Sequence, residues 1–153
     1  MVFIAGPRQC GKTTVAKTIA STFANNNYHN WDIASHRAML LQEPTFFVAT
    51  PRRDATAPLV VFDELLKHND WKNYLKGVYD EFAGQCQFLV TGSGRLDLYQ
   101  AGGDSLAGRY LAYQLWPFTI GELAASGAGA SGLADAVGQF LADPLRVDLT
   151  NLG

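Results

Sequence analysis

Val2-Phe3-Ile4-Ala5-Gly6-Pro7-Arg8-Gln9-Cys10-Gly11-Lys12-Thr13-Thr14 is the stretch on which the fold turns. An unbroken apolar run enters a turn at Gly6-Pro7, the pattern of a short strand buried on both faces. From Lys12 onward Val15, Ile19 and Phe23 recur at every fourth position, with Ala16, Ala20 and Ala24 beside them. That spacing predicts a helix with one apolar stripe, closed by the breaker run Asn25-Asn26-Asn27. Between strand and helix the letters read Gly, four residues, then Gly-Lys-Thr.

The chemistry of a phosphate cradle requires this arrangement. Glycines remove side chains where backbone must wrap an anion closely. Loop amides and the following helix N-terminus then offer partial positive charge. Gly6 to Thr14 are therefore the expected cradle for a nucleoside triphosphate, with Pro7, Arg8, Gln9, Cys10 and Gly11 in the loop itself. Lys12 should reach the β- and γ-phosphates and the Thr13 hydroxyl should ligate Mg²⁺. A glycine turn before an ordinary surface lysine would give the same letters. The strand before and amphipathic helix after favour the functional reading. Cys10 is expected to face away from the ligand and has no part in the mechanism.

Working outward, a weaker strand is expected from Tyr28 to Ile33, then a helical stretch to Leu41. Ala49 to Pro58, with Arg52 and Arg53, has the composition of a surface loop. Leu59-Val60-Val61-Phe62 is the clearest buried strand and ends in Asp63-Glu64. Trp71, Leu75, Val78 and Phe82 fall at helical spacing, with Asn69 or Asp70 placed to cap. Gln87-Phe88-Leu89-Val90 is a further buried strand, followed by Thr91-Gly92-Ser93-Gly94. A last strand is expected within Tyr110 to Trp116, and Thr119 with Glu122 makes a capping box beyond Pro117. Residues 1–126 are taken as the core. Residues 127–153 form a Gly/Ala linker and helical extension, with Gly127 to Gly132 leading to a helix over Leu133 to Leu141. Alternating strands and helices imply an α/β, three-layer parallel sheet with ligands at the strands' carboxyl ends.

The acidic strand end suits a Walker B segment. Alternation along a strand would turn Asp63 toward the Thr13–Mg²⁺ position and Glu64 toward the γ-phosphate as the activator of water. Thr91 and Ser93 follow a strand that could lie between the two nucleotide-binding strands, where hydroxyls contact the γ-phosphate or orient water. Arg109 is the first choice for an arginine that stabilises transition-state charge, in cis or from a neighbouring subunit, and Arg95 the second. A surface ion pair would equally explain Arg109. Gly92-Ser93-Gly94 is no serine-hydrolase elbow, because Thr91 stands where the first glycine is needed. His29, His36 and His68 lack metal-ligand spacing.

Composition narrows the classes further. The 153 residues carry 48% apolar and 17% charged side chains, ordinary for a globular domain. No apolar run is long enough to span a bilayer, and no secretory pattern is visible, so a cytoplasmic location is expected. Net charge −2 creates no broad attraction for nucleic acid, and Arg52-Arg53 suit a solvated loop better than a nucleic-acid contact. Two cysteines are too few for a disulfide scaffold.

With these residues in view, the chain resembles the AAA-type P-loop ATPase domain of a widespread prokaryotic family. Its members often carry a C-terminal region of winged-helix-like and nuclease-like character. The resemblance runs from Phe3 to about Leu123. It rests on Gly6 to Thr14, Phe62-Asp63-Glu64 with Asp70-Trp71, Leu89-Val90-Thr91-Gly92-Ser93, Ser105-Leu106-Ala107-Gly108-Arg109-Tyr110, and Trp116-Pro117-Phe118 with Glu122. It implies the additional-strand class with strand order 5-1-4-3-2, ATP rather than GTP, and Mg²⁺ as cofactor. A GTPase would show a glycine at position 66 and an Asn-Lys-x-Asp motif, and neither is present. Small-metabolite kinases generally lack a glutamate directly after the Walker B aspartate. The expectation is Mg-dependent ATP hydrolysis that drives conformational change in a C-terminal domain of a longer parent protein. A homo-oligomer is an open alternative for its assembly. A nucleotide-gated interaction module with little hydrolysis is the competing reading.

Overall fold

Phe3 and Ile4 are neighbours in sequence yet belong to different apolar clusters. That alternation organises the molecule, because a strand sends successive side chains to opposite faces. The computed structural model describes residues 1–93 and 106–117. Its elements are β1 (Val2–Ala5), α1 (Lys12–Ser21), β2 (Asn26–Asn30), α2 (Ala34–Gln42), β3 (Leu59–Asp63), α3 (Trp71–Phe82), β4 (Gln87–Gly92) and β5 (Leu111–Gln114). The five strands form one parallel sheet in the order β2-β3-β4-β1-β5. Read from the other edge, this is the expected 5-1-4-3-2. Arg95, the Thr119–Glu122 box, Gly127 to Gly132 and the Leu133 to Leu141 helix lie outside the described residues.

Ile4, Val61 and Leu89 face α1, whose Ala16 and Ala20 are fully or almost fully buried. The expected stripe of Val15, Ile19 and Phe23 only flanks this contact. The small alanines sit innermost because they let the helix axis approach the sheet closely. Phe3, Val60, Phe62, Phe88 and Val90 face the other layer, where Leu75, Val78 and Phe82 of α3 pack with Leu40 of α2. Phe46 and Phe47, from a single 3-10 turn at Phe46–Ala49, complete that core.

Two local expectations change. The asparagine run does not lie outside regular structure: Asn26 and Asn27 belong to β2, paired opposite Leu59 and Val60. Pairing with a strongly apolar central strand overrides the weak strand preference of asparagine. Asp70 precedes α3, but its side chain makes no capping bond to backbone. It instead accepts from Asn73 Nδ2 at 2.6 Å. The Ala49 to Pro58 loop is exposed over residues 50–57. Buried Asn25 staples it, donating to Asp54 Oδ1 at 2.6 Å and accepting from Arg53 N–H at 2.6 Å. Among the described residues no helix is long and apolar enough to cross a membrane.

Candidate active site

The loop from Gly6 to Gly11 leaves the carboxyl end of β1 and turns directly into α1. Gly11 has φ 90°, left-handed backbone that a Cβ would strain. Gln9 (φ 63°) and Glu64 (φ 57°) are the non-glycine residues with positive φ among those described, and both lie in this site. Held outliers of this kind concentrate where a surrounding structure over-determines the backbone. Gly6 has a different reason from the one expected. A Cβ there would stand 2.1 Å from the Leu115 carbonyl oxygen and 2.9 Å from Cys10 Sγ. Its missing side chain admits the end of β5 and the loop's own cysteine.

Lys12 opens α1 and is 5% exposed. Its Nζ folds back over the loop, donating to the carbonyls of Pro7 at 2.7 Å and Gly6 at 3.1 Å. Cys10 Sγ is 3.9 Å from Nζ, so the cysteine lies on the lysine's side of the loop and not turned away. Pro7, Arg8, Gln9 and Thr14 are exposed around it. The ammonium therefore lies against the loop backbone at Gly6 and Pro7.

Thr13 connects the loop to the acidic strand end: its hydroxyl donates to Asp63 Oδ2 at 2.8 Å. Asp63 closes β3 and is 1% exposed, and a carboxylate so buried needs donors. It has several. Thr91, at the carboxyl end of β4, donates to Oδ1. From β2, Asn30 Nδ2 donates to Oδ2 at 3.0 Å, and the Tyr28 hydroxyl donates to the same oxygen. Burial, with the Asp63 bond second, pushes the Tyr28 phenol up to about 12, so it is a neutral donor.

Glu64 does not continue the strand. The expectation that alternation would separate the two carboxylates is corrected, because the left-handed turn at Glu64 does it. That turn begins the short 3-10 segment Leu65–Lys67. Glu64 N–H donates to Thr91 Oγ at 3.2 Å, and its Oε2 accepts from Ser93 Oγ at 3.0 Å. Lys67 Nζ is 3.5 Å from that Oε2 and 2.5 Å from Asp32 Oδ2. Its proton is held more tightly than usual, chiefly by the Asp32 hydrogen bond. Thr91 has no exposure and spends its hydroxyl on Asp63 and the Glu64 amide. It therefore lies beneath the acidic pair, and the partly exposed Ser93 stands at the mouth.

Arg109 is placed elsewhere. Its carbonyl accepts from the Met1 amino group at 3.0 Å, and Leu111 pairs with Val2, so it sits at the amino ends of β1 and β5. A strand of this length separates it from the loop by roughly 13 Å. Its guanidinium pairs with Asp80 at 2.6 Å. Within one chain it does not join the site.

Sequence reasoning missed Tyr28, Asn30, Asp32 and Lys67. One signal was present: Tyr28 and Asn30 are polar, spaced by two, and lie on a strand beside the Asp63 strand. The donor set suits a hard divalent cation, with a hydroxyl and a carboxylate oxygen 2.8 Å apart beside a phosphate-shaped loop. Among the described residues no group of three or more His, Cys, Asp or Glu could hold a metal. One carboxylate is what Mg²⁺ needs when substrate phosphates and water fill its remaining positions.

The model of the AAA domain family matches residues 1–124. An uncharacterised protein of Mycobacterium bovis and one of Mycobacterium tuberculosis are each 26% identical over 128 residues. The match covers 84% of this chain and 27% of each relative, so the chain spans about a quarter of their length. Among solved structures, the Aeropyrum pernix ORC1 protein in complex with DNA superposes with a TM-score of 0.56 at 13% identity. That match covers 90% of this chain and 43% of that one. PCH-2 of C. elegans superposes at 0.51 with 15% identity, covering 96% of this chain and 41% of that one. These two likenesses concern the fold. With the glycine-lysine loop bonded to an acidic strand end and the family model running over most of its length, the chain belongs to the AAA domain family, as a nucleotide-binding domain of the P-loop ATPase type.

Proposed function

We propose that this domain binds Mg·ATP in the Gly6–Thr14 loop and hydrolyses it, passing the resulting conformational change to a C-terminal domain of a longer protein. The observation that carries the reading is the Thr13–Asp63 bond of 2.8 Å, which joins the phosphate loop to the acidic strand end beside Glu64. Lys12 exchanges its two loop carbonyls for phosphate oxygens, a stronger charge-assisted partnership. Thr13 and Asp63 would hold Mg²⁺, which when bound neutralises charge on the β- and γ-phosphates. Glu64 accepts a proton from water as the water oxygen bonds to the γ-phosphorus. The bond from that phosphorus to the bridging oxygen breaks, and ADP leaves with the electron pair. Ser93 orients the Glu64 carboxylate, and Thr91 aligns Asp63 with the Glu64 backbone. Arg109, paired with Asp80 far from its own loop, would reach a γ-phosphate only in a neighbouring copy.

A nucleotide-gated module with little turnover is favoured by one specific observation: Lys67 and Ser93 both hold the Glu64 carboxylate. Single-turnover hydrolysis by the wild type and Glu64→Gln separates the two readings. Loss of hydrolysis with ATP affinity retained supports the ATPase. A wild type that binds Mg·ATP and leaves it intact supports the module.

A further inference from the structure

Asp63 Oδ2 is over-subscribed. A carboxylate has about four lone-pair sites over its two oxygens, so one oxygen serves about two donors in good geometry. Oδ2 takes three: Thr13 Oγ at 2.8 Å, Asn30 Nδ2 at 3.0 Å and the Tyr28 hydroxyl. Oδ1 is taken by Thr91, on the wholly buried side. A cation on the Thr13 side needs a lone pair of Oδ2, whether it is met directly or through a bound water that donates. One of the three donors has to withdraw.

The three are not equally free to do so. Thr13 belongs to the helix that carries the loop and can ligate a cation through an oxygen lone pair while still donating its proton to Asp63. Asn30 stands opposite Asp63 in the β2–β3 register, so the backbone ladder fixes its position. Its Oδ1 is also tied to the Asp32 N–H at 2.8 Å. Tyr28 reaches in from two residues earlier. Its ring is half-buried under Lys17 of α1, with Nζ 5.1 Å from the ring centroid. When its hydroxyl turns away from Asp63 it keeps a partner, because Asn30 Nδ2 lies 3.4 Å from the phenol oxygen.

We propose that Tyr28 is a positioning residue that occupies the metal-side oxygen of Asp63 when no cation is bound and yields it to Mg²⁺, so that the edge strand β2 reports on the loading of the site. The proposal rests on the nucleotide-binding reading above and deepens it. β2 reaches both acidic residues: Tyr28 and Asn30 contact Asp63, and Asp32, just beyond the strand, contacts Glu64 through Lys67. Tyr28 is thus the movable contact of β2, while the backbone ladder and the Trp31 N–H bond to the Asp63 carbonyl at 2.9 Å hold the strand end that places Asp32.

Tyr28→Phe removes one hydroxyl and keeps the ring under Lys17. Mn²⁺ serves as the probe, its affinity for the ADP-loaded protein read by electron paramagnetic resonance. ADP affinity in EDTA is measured in parallel by calorimetry. The expected result is Mn²⁺ affinity raised about three- to tenfold in Tyr28→Phe, the net worth of one hydrogen bond to an oxygen that keeps its other donors. ADP affinity in EDTA stays near wild type, and the thermal midpoint without metal falls by about 2–4 °C, as loss of that one bond requires. In an Asp63→Asn background the gain disappears. Unchanged or weakened Mn²⁺ binding in a folded Tyr28→Phe protein overturns the proposal, since a merely structural tyrosine weakens both affinities together. A wild type that binds ADP in neither condition overturns the nucleotide reading itself, which is a separate outcome.

Discussion

Lys12 shows how much one side chain can decide. It is an almost fully buried cation that donates to two loop carbonyls and lies beside the Cys10 thiol. A buried ammonium is costly unless it is paired, and a phosphate is a stronger partner for it than neutral carbonyls. Lys12→Ala should therefore weaken ATP binding by roughly a hundredfold or more, the worth of a charge-assisted contact to phosphate, as calorimetry will read. His29 makes a second prediction at this scale. Burial, helped by the His36 charge, lowers it to about 4 from 6.5, and its buried Nδ1 has no hydrogen-bond partner among the described residues. Folded protein thus binds fewer protons than unfolded protein between those values. Its contribution to stability is intact above about pH 6.5 and is lost as pH falls toward 4. Unfolding free energy measured over that window should fall with acid by about 1–2 kcal/mol after solvent screening, and His29→Leu should flatten the slope.

Among the elements, the loop and β5 are built against each other. The Leu115 N–H donates to the Ala5 carbonyl at 2.7 Å, just where a side chain on Gly6 would strike the Leu115 carbonyl oxygen. The neighbour is backbone and cannot rotate aside. Gly6→Ala should lower stability by about 2 kcal/mol or more in denaturant titrations and speed amide exchange at Leu115. Wild-type exchange there would show that the loop tolerates a Cβ after all. At the element scale most of the sheet was legible: unbroken apolar runs at Val2–Ala5, Leu59–Phe62 and Phe88–Val90 mark strands covered on both faces. β2 was harder to read because an edge strand with Asn26, Asn27 and Asn30 owes its extended shape to β3. The 3-10 turn that buries Phe46 and Phe47 has no periodicity to betray it.

Over the whole molecule, the parallel sheet puts loop, acidic pair and Thr91 at one end and Arg109 at the other. An exposed ion pair such as Arg109–Asp80 adds little to stability. Arg109→Ala should leave the thermal midpoint and ATP affinity near wild type. If a neighbouring copy uses Arg109, the variant should still lose hydrolysis, and wild-type specific activity should rise with protein concentration. Activity proportional to concentration and untouched by Arg109→Ala would confine the residue to its surface role.

The order of chemistry along the chain was written in the sequence: a strand, a phosphate loop, a helix, an acidic strand end and a polar strand end. Each of those is a local pattern, set by side-chain period and by which residues tolerate a tight turn. Distance between them is not local. Only the tertiary structure brought Thr13, Asp63 and Thr91 within hydrogen-bond reach, turned Glu64 aside through a left-handed residue, and carried Arg109 away from its own loop. It also added Tyr28 and Asn30, because a buried carboxylate collects donors from whichever strand is laid beside it, and strand neighbours are chosen by the sheet and not by the order of residues.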